Sequence, residues 1–422
     1  MSTNLRIIEI HVKKLFGIYT YTLTQKDDSN FMIFYGDNGA GKTTILSCLY
    51  HIFNPEEKGG HRTAIGHIPF LEFNVLLSNR DKITLKRTEY NNKNYTITFC
   101  KEGKQLNYTW YHPKERKQDN GRIYSLYCEY LRKLNLNTLY LTANRQIYEE
   151  QEDSPFELRR RREQIMFFDR QEELLQFNDN EHYTLHQVID NFHRWMHRKI
   201  IVSTNEGNKS IGEHYLSMLE SLTKKNRQIE NSITIKDRIK KLKENNEKFT
   251  RFGLSIELFS KKFQTAISKL NDTEWNTVEQ ILDPYISSLE LRLDALSSLQ
   301  KRLQKLEDYL SKFFQNKKIE ITATQGIVIK SANDEVLAPE QLSSGEKQML
   351  YLLCRIMVSS YDSSIIIIDE PEISLNIKWQ RTFLEVLNAI IGDDNIQIII
   401  ATHSVEMITP YRDSVVKLIS NE

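Results

Sequence analysis

Phe31-Met32-Ile33-Phe34-Tyr35-Gly36-Asp37-Asn38-Gly39-Ala40-Gly41-Lys42-Thr43-Thr44 is the stretch on which the fold turns. Phe31–Tyr35 is a short continuous apolar run, as for a strand buried on both faces. Gly36–Thr43 matches GxxxxGK[ST], and Thr44–Phe53 continues as a helical pattern. Strand, glycine loop and helix together are the setting in which such a loop cradles phosphate. Its glycines let successive backbone N–H groups turn inward, and the helix start adds its positive dipole. Gly36, Asp37, Asn38, Gly39, Ala40, Gly41 and Thr44 are the expected phosphate-lining residues. Lys42 offers a compact cation to the β- and γ-phosphates, and the Thr43 hydroxyl a ligand for Mg2+.

A second signal lies far downstream. Ile365-Ile366-Ile367-Ile368-Asp369-Glu370 places two carboxylates at the end of a buried strand. Asp369 is expected to hold the Mg2+ water shell, and Glu370 to orient or deprotonate an attacking water. Upstream of that strand, Leu342-Ser343-Ser344-Gly345-Glu346-Lys347-Gln348 opens a helical pattern. Its hydroxyls and free N–H groups suit an anion, and would equally serve as a plain helix cap.

Composition narrows the class. The 422 residues carry 57 basic and 56 acidic groups, a formal net charge of +1, so the chain as a whole does not coat a polyanion, though a local basic patch remains open. Cys48, Cys100, Cys128 and Cys354 are scattered without a CxxC pair. That argues against a zinc site or disulfide framework and fits a reducing cytosol. The start, MSTNLRIIEIHVKKL, has no apolar signal region, and no apolar run approaches the ~20 residues of a membrane helix. A cytoplasmic protein with no membrane partner is expected.

The pattern along the chain predicts an α/β fold interrupted by helices. Leu5–Val12, Phe31–Tyr35, Leu71–Leu77, Ile83–Thr88, Tyr95–Phe99 and Leu139–Leu141 read as strands. From about Glu149 to Gln315 breakers are few, and Ile286, Leu289, Leu293, Leu296, Leu299, Leu303, Leu306 and Leu310 form a helical stripe. Lys318–Thr322, Ile327–Lys330, Ser364–Ile368 and Ile396–Ala401 read as strands again, with helices around Gly345–Val358 and Lys378–Ile391. The expected division is 1–148 and 317–422 as two halves of one α/β head, with 149–316 as a helical, partner-binding insertion. If the ends share one sheet, they must meet in space.

The order of phosphate loop, LSSGE, IIIIDEPE and IIIATHS resembles the ABC-type ATPases, over roughly residues 1–145 and 318–420. It is more similar to the SMC/Rad50/RecF and OLD-like branch than to transporter subunits. The resemblance implies an ABC-ATPase head with a mixed sheet around the phosphate loop, ATP and Mg2+ as cofactors, and self-assembly around two nucleotides. It implies that Ser343, Ser344 and Gly345 meet the γ-phosphate of a partner copy. It makes Ser374-Leu375-Asn376 a D-loop and His403 a switch histidine beside Glu370 in catalysis. Ser344 departs from the family's LSGGQ, and the Q-loop glutamine is not distinct. Gln146 in Leu141-Thr142-Ala143-Asn144-Arg145-Gln146 is the candidate, with strand capping as the alternative. LSSGEKQ, IIIDEPEISL, WQ and ATHS most resemble the ATPase subunits of anti-phage systems: the PtuA ATPases of Septu and retron systems, the AriA ATPase of PARIS, and the ATPase half of OLD nucleases. Only 19 residues follow His403 and there is no zinc-hook CxxC. That suggests an effector on a separate polypeptide, an HNH or Toprim nuclease. A RecF-type DNA-repair ATPase is the alternative, and a transporter subunit a third.

Nucleic acid is a further candidate partner. Arg159–Arg162 is a basic run, with Glu163 placed for an internal ion pair with Arg159. Ser221–Arg251 holds ten basic and four acidic residues. Such a patch suits phosphate contact, a solvated face or an acidic partner alike.

Overall fold

The computed structural model describes residues 5–26, 29–57, 59–101, 103–113, 121–143, 184–223, 235–254, 272–360, 364–392 and 396–419. They divide into two compact units, 1–184 with 347–422, and 185–346.

The first unit carries two sheets. One is antiparallel: β1 (Ile7–Leu15), β2 (Tyr19–Thr24), β4 (Glu72–Leu77), β5 (Lys82–Lys86), β6 (Tyr95–Lys101) and β7 (Lys104–Trp110), in the order β2-β1-β4-β5-β6-β7. The other is parallel and contains β3 (Phe31–Tyr35), β8 (Thr138–Leu141), β11 (Ile365–Asp369), β12 (Gln397–Thr402) and β13 (Val415–Lys417), in the order β13-β3-β12-β11-β8. This second sheet interleaves strands from both ends of the chain, as one α/β head requires. β3, β11 and β12 lie inside it, and their apolar runs, isoleucine-rich in β11 and β12, are buried on both faces. Around the sheets lie α1 (Lys42–Phe53), α2 (His61–His67) and α3 (Gly121–Leu134). The same aromatic core runs from Phe53, Phe70 and Phe73 to Phe99, Tyr108 and Tyr127.

Gln397 joins the two sheets. This fully buried amide of β12 accepts from Ile7 N at 2.8 Å and donates to Ile7 O and Gln25 Oε1, both at 2.7 Å. The amide's acceptor and one of its donors satisfy the N–H and C=O of Ile7, and its second donor reaches the Gln25 side chain.

The second unit contains α4 (Leu185–Thr223), α5 (Ile235–Thr250), α6 (Asp272–Phe313) and the hairpin β9 (Lys317–Thr322) with β10 (Gly326–Ser331). The expected leucine stripe is the core of this unit. Ile286, Leu289, Leu293, Leu296, Leu299, Leu303, Leu306 and Leu310 of α6 are all buried, where α4 and α5 pack on it. Each such side chain contributes roughly 1.5–3 kcal/mol by leaving water. Residues 317–346 group with these helices, since β9 and β10 pair with each other as a two-stranded sheet and are covered by α6 and α4. α7 (Ser344–Ser359) carries the chain across the division between units, and α8 (Ile377–Ile391) and α9 (Val405–Ile408) complete the first unit.

Candidate functional site

Three strands of the parallel sheet deliver the first unit's candidate residues to one edge. β3, β12 and β11 run in register, with Tyr35 opposite Thr402 and Asp369 opposite Ala401. The phosphate loop leaves β3, His403 follows β12, and Asp369–Glu370 end β11. Open α/β sheets bind ligands along this carboxyl edge.

The loop takes the conformation its glycines allow. Gly39 and Gly41 have φ of +82° and +86°. A Cβ on Gly41 would lie 2.6 Å from Leu15 Cδ2, whereas one on Gly39 would meet nothing within 4 Å. Gly41 is therefore pinned against β1, while Gly39 opens outward with the exposed Asp37 and Asn38. The Tyr21 hydroxyl donates to Ala40 O at 2.9 Å and anchors the loop from β2. α1 starts directly at Lys42, capped by backbone alone, so its first N–H groups carry the dipole's positive end.

Lys42 is buried. Its ammonium donates to Gly36 O at 2.8 Å, to Asp37 O at 3.0 Å and to His403 Nε2 at 2.8 Å. Burial pushes its pKa down, and the carboxylates of Glu370, Asp369, Glu372 and Asp37 push it back up. His403 Nε2 also lies 3.4 Å from Glu370 Oε1. Because Nε2 accepts from Lys42, the proton of a neutral ring belongs on Nδ1. The contact with Glu370 then becomes an ion pair only when His403 is protonated.

The turn after β11 is shaped for this contact. Glu370 and Ser374 adopt φ of +45° and +64°, a conformation costing about 1–3 kcal/mol per non-glycine residue. Glu370 N still donates to Ala401 O at 2.8 Å, which holds its backbone on the sheet. Glu372 accepts from His403 N at 2.6 Å through Oε1. Its other oxygen is buried and accepts no hydrogen bond among the described residues. Asn376, in the expected D-loop, caps α8 by accepting from Trp379 N at 3.0 Å.

These residues fit ATP and Mg2+. Gly39 leaves open space beside a helix start, and Thr43 brings an exposed hydroxyl. The fully buried Asp369 and the unspent oxygen of Glu372 add hard donors of the kind Mg2+ and its water shell take.

Ser343, Ser344 and Gly345 lie where α7 begins, in the second unit. Ser343 and Glu346 form a capping box: Ser343 N and Oγ donate to Glu346 Oε2 at 2.8 and 2.9 Å, and Glu346 N to Ser343 Oγ at 3.4 Å. Lys317 Nζ joins the same carboxylate oxygen at 2.6 Å. Ser343 and Ser344 are exposed. Hydrogen bonding to Lys317 and Ser343 keeps the Glu346 carboxyl below the usual range against the opposing effect of its burial.

Asn144, Arg145 and Gln146 lie outside the described residues, as do Arg159–Arg162 and, within the basic stretch, Lys224, Lys225 and Arg227. Two contributors escaped the sequence reading. Glu372 stood inside the quoted DEPE without a role. Phe16, 39% exposed, flanks the loop near Gly41; its apolar type in a turn was the available signal.

No helix among the described residues is long and apolar enough to cross a membrane, and all four cysteines are free. No curated protein matches the chain. Among solved structures, it is similar to an Smc head domain with an extended coiled coil bound to the C-terminal domain of ScpA, from Pyrococcus furiosus. That match has 13% identity, covers 99% of this chain and 96% of the other, and has a TM-score of 0.41. An Smc head domain with a coiled coil and joint, from Pyrococcus yayanosii, matches at 14% identity over 99% of this chain and 97% of its own, with a TM-score of 0.41. The family model for the AAA ATPase domain matches residues 9–408, from the third residue of β1 to the end of α9. That span takes in the ends of β3, β8, β11 and β12, with Lys42, Asp369, Glu370 and His403, and the chain belongs to the AAA ATPase domain family.

Proposed function

We propose that this chain binds ATP with Mg2+ and hydrolyses it at the carboxyl edge of the parallel sheet. The observation that carries this reading is the direct chain of contacts from Lys42 to His403 to Glu370, at 2.8 and 3.4 Å. When bound, ATP–Mg2+ supplies the phosphoryl group that is transferred to water. Gly36–Thr44 hold the phosphates, and Thr43 and Asp369 the metal. Lys42 turns from His403 to the nucleotide. Glu370, 30% exposed in its side chain, is reachable by water and takes its proton. His403 senses the γ-phosphate from the end of β12.

The resemblance of LSSGEKQ, DEPE and ATHS to ABC-type ATPases extends the proposal. Two copies close around ATP, the exposed Ser343 and Ser344 of each meeting the nucleotide of the other. That closure controls a separate effector nuclease in anti-phage defence. ATP must then favour the closed state by contacts absent from the open one. Glu370→Gln is expected to accumulate an ATP-bound assembly. Size-exclusion chromatography with and without ATP checks it, and an elution volume unmoved by ATP contradicts the trans contact.

Direct nucleic-acid binding is the second reading, favoured by Lys240, Lys241, Lys243 and Lys248, all exposed on α5. Asp237, Glu244 and Glu247 are exposed on the same helix, so the described part is less one-sided than Ser221–Arg251 as a whole. Arg238 is engaged by Glu290 at 2.6 Å. Strong DNA binding by the isolated chain that falls steeply with salt is the result that would favour it.

A further inference from the structure

His193 and His197 stand four residues apart on α4, so their side chains leave one face a turn apart. Their ring centres are 4.6 Å apart and their Nε2 atoms approach to 3.0 Å. A third donor atom comes to the same place. The carbonyl oxygen of Ala323, in the turn between β9 and β10, lies 2.9 Å from His193 Nε2. That turn is fixed independently, since Ala323 N donates to Phe252 O at 2.8 Å. Gly326, at φ +70°, gives His193 the room to approach, because a Cβ there would sit 3.1 Å from His193 Cβ and Cγ. Three electron-pair donors thus crowd one point. Without a cation, one N–H proton must serve both the second imidazole and the carbonyl.

The geometry points to a transition-metal site in which His193 Nε2 and His197 Nε2 chelate one ion, with Ala323 O beside them as a third ligand and water completing the shell. Two nitrogens 3.0 Å apart, each about 2.0–2.1 Å from a metal, subtend about 91–97° there. A tetrahedral ion asks for about 3.3–3.4 Å between such nitrogens. A near-right-angle bite suits the tetragonal ions Cu2+ and Ni2+ better than Zn2+. No carboxylate belongs to the donor set, so Mg2+ and Ca2+ are not matched. Both rings bind as neutral imidazoles with their protons on Nδ1. His197 is exposed and gives the ion its way in, while the half-buried His193 is already placed against the turn. A metal here ties α4 to the β9–β10 turn within the second unit, and nothing in its chemistry involves nucleotide.

The test uses the untagged full chain without nucleotide, titrated with CuCl2 and followed by calorimetry and electron paramagnetic resonance. The wild type should bind one tight equivalent with hyperfine coupling from two nitrogens, NiCl2 should compete, and MgCl2 should not. Loss of an outer-shell partner alone costs 10–100-fold in metal affinity. His197→Ala, on an exposed position that leaves the fold undisturbed by circular dichroism, should therefore weaken that equivalent at least about tenfold and remove one nitrogen coupling. A wild type without the tight equivalent overturns the site, as does equal stoichiometry and affinity in the wild type and His197→Ala.

Discussion

Lys42 has three ammonium protons, and the structure uses all three: two on carbonyls of its own loop and one on His403. The carbonyls belong to the loop that must stay formed around phosphate, so His403 is the partner that gives way. This separates two substitutions. Lys42→Ala should abolish ATP binding by calorimetry. His403→Ala should leave ATP affinity equal or tighter, because the third proton is released, while turnover drops on the order of a hundredfold or more, as for a lost group that acts on the γ-phosphate in the transition state. Equal losses of affinity in the two variants would contradict the contact. At this scale the sequence was informative where backbone chemistry demands a residue type. Gly41 needs a left-handed conformation against Leu15, and Lys42, Asp369, Glu370 and His403 stand at fixed places after strands. Glu372 was not legible as a positioning residue, since its partner, the backbone of His403, is 31 residues away. Tyr21 is equally remote from Ala40 in pattern, and only the folded hairpin brings its hydroxyl to the loop.

Strands and helices show the same split. The buried isoleucine runs and the leucine stripe were readable because one period dominates each. β2 and β7 were not, because Tyr19–Thr24 and Lys104–Trp110 mix exposed and buried positions and depend on neighbours for pairing. Nor could the sequence assign Gln397, a polar residue at the start of an apolar strand, to the join between two sheets. Gln397→Leu strips the backbone of Ile7 of both its partners. It should destabilise the first unit by about 2–6 kcal/mol, at about 1–3 kcal/mol for each buried polar group left unsatisfied; an unchanged denaturant midpoint would refute that join. The packing of α1 on α2 carries a pH dependence. His51 and His61 face each other with their Nδ1 atoms 2.9 Å apart. Burial, then the neighbouring His61, lowers His51 to about 4. Burial likewise lowers His61, against the pull of Glu56. The unfolded chain therefore binds the extra proton first. Stability is full above about pH 6.5 and is lost as the pH falls toward 4, by on the order of 3 kcal/mol for His51. Chemical denaturation at pH 7.5 and pH 5 measures this, and His51→Gln should flatten the profile.

On the scale of the molecule, the chain lays down β3 and β8 of the parallel sheet, leaves it for the long helices of the second unit, and returns to add β11, β12 and β13. Strand β3 cannot be flanked correctly until β12 and β13 arrive more than 360 residues later. The parallel sheet is thus the last part of the first unit to be completed, and its carboxyl edge forms only then. A change of composition marks the helix-rich stretch of the sequence, whereas the grouping of β9 and β10 with the helices rests on which surfaces cover them, information no local pattern holds. What the completed edge is for comes down to Glu370, held at φ +45° beside His403. The decisive measurement is ATP turnover and ATP affinity of the wild type beside Glu370→Gln, in Mg2+. Turnover by the wild type, a fall of at least about a hundredfold in the variant and an unchanged affinity are the predicted result; a variant that hydrolyses ATP as fast as the wild type would contradict the account.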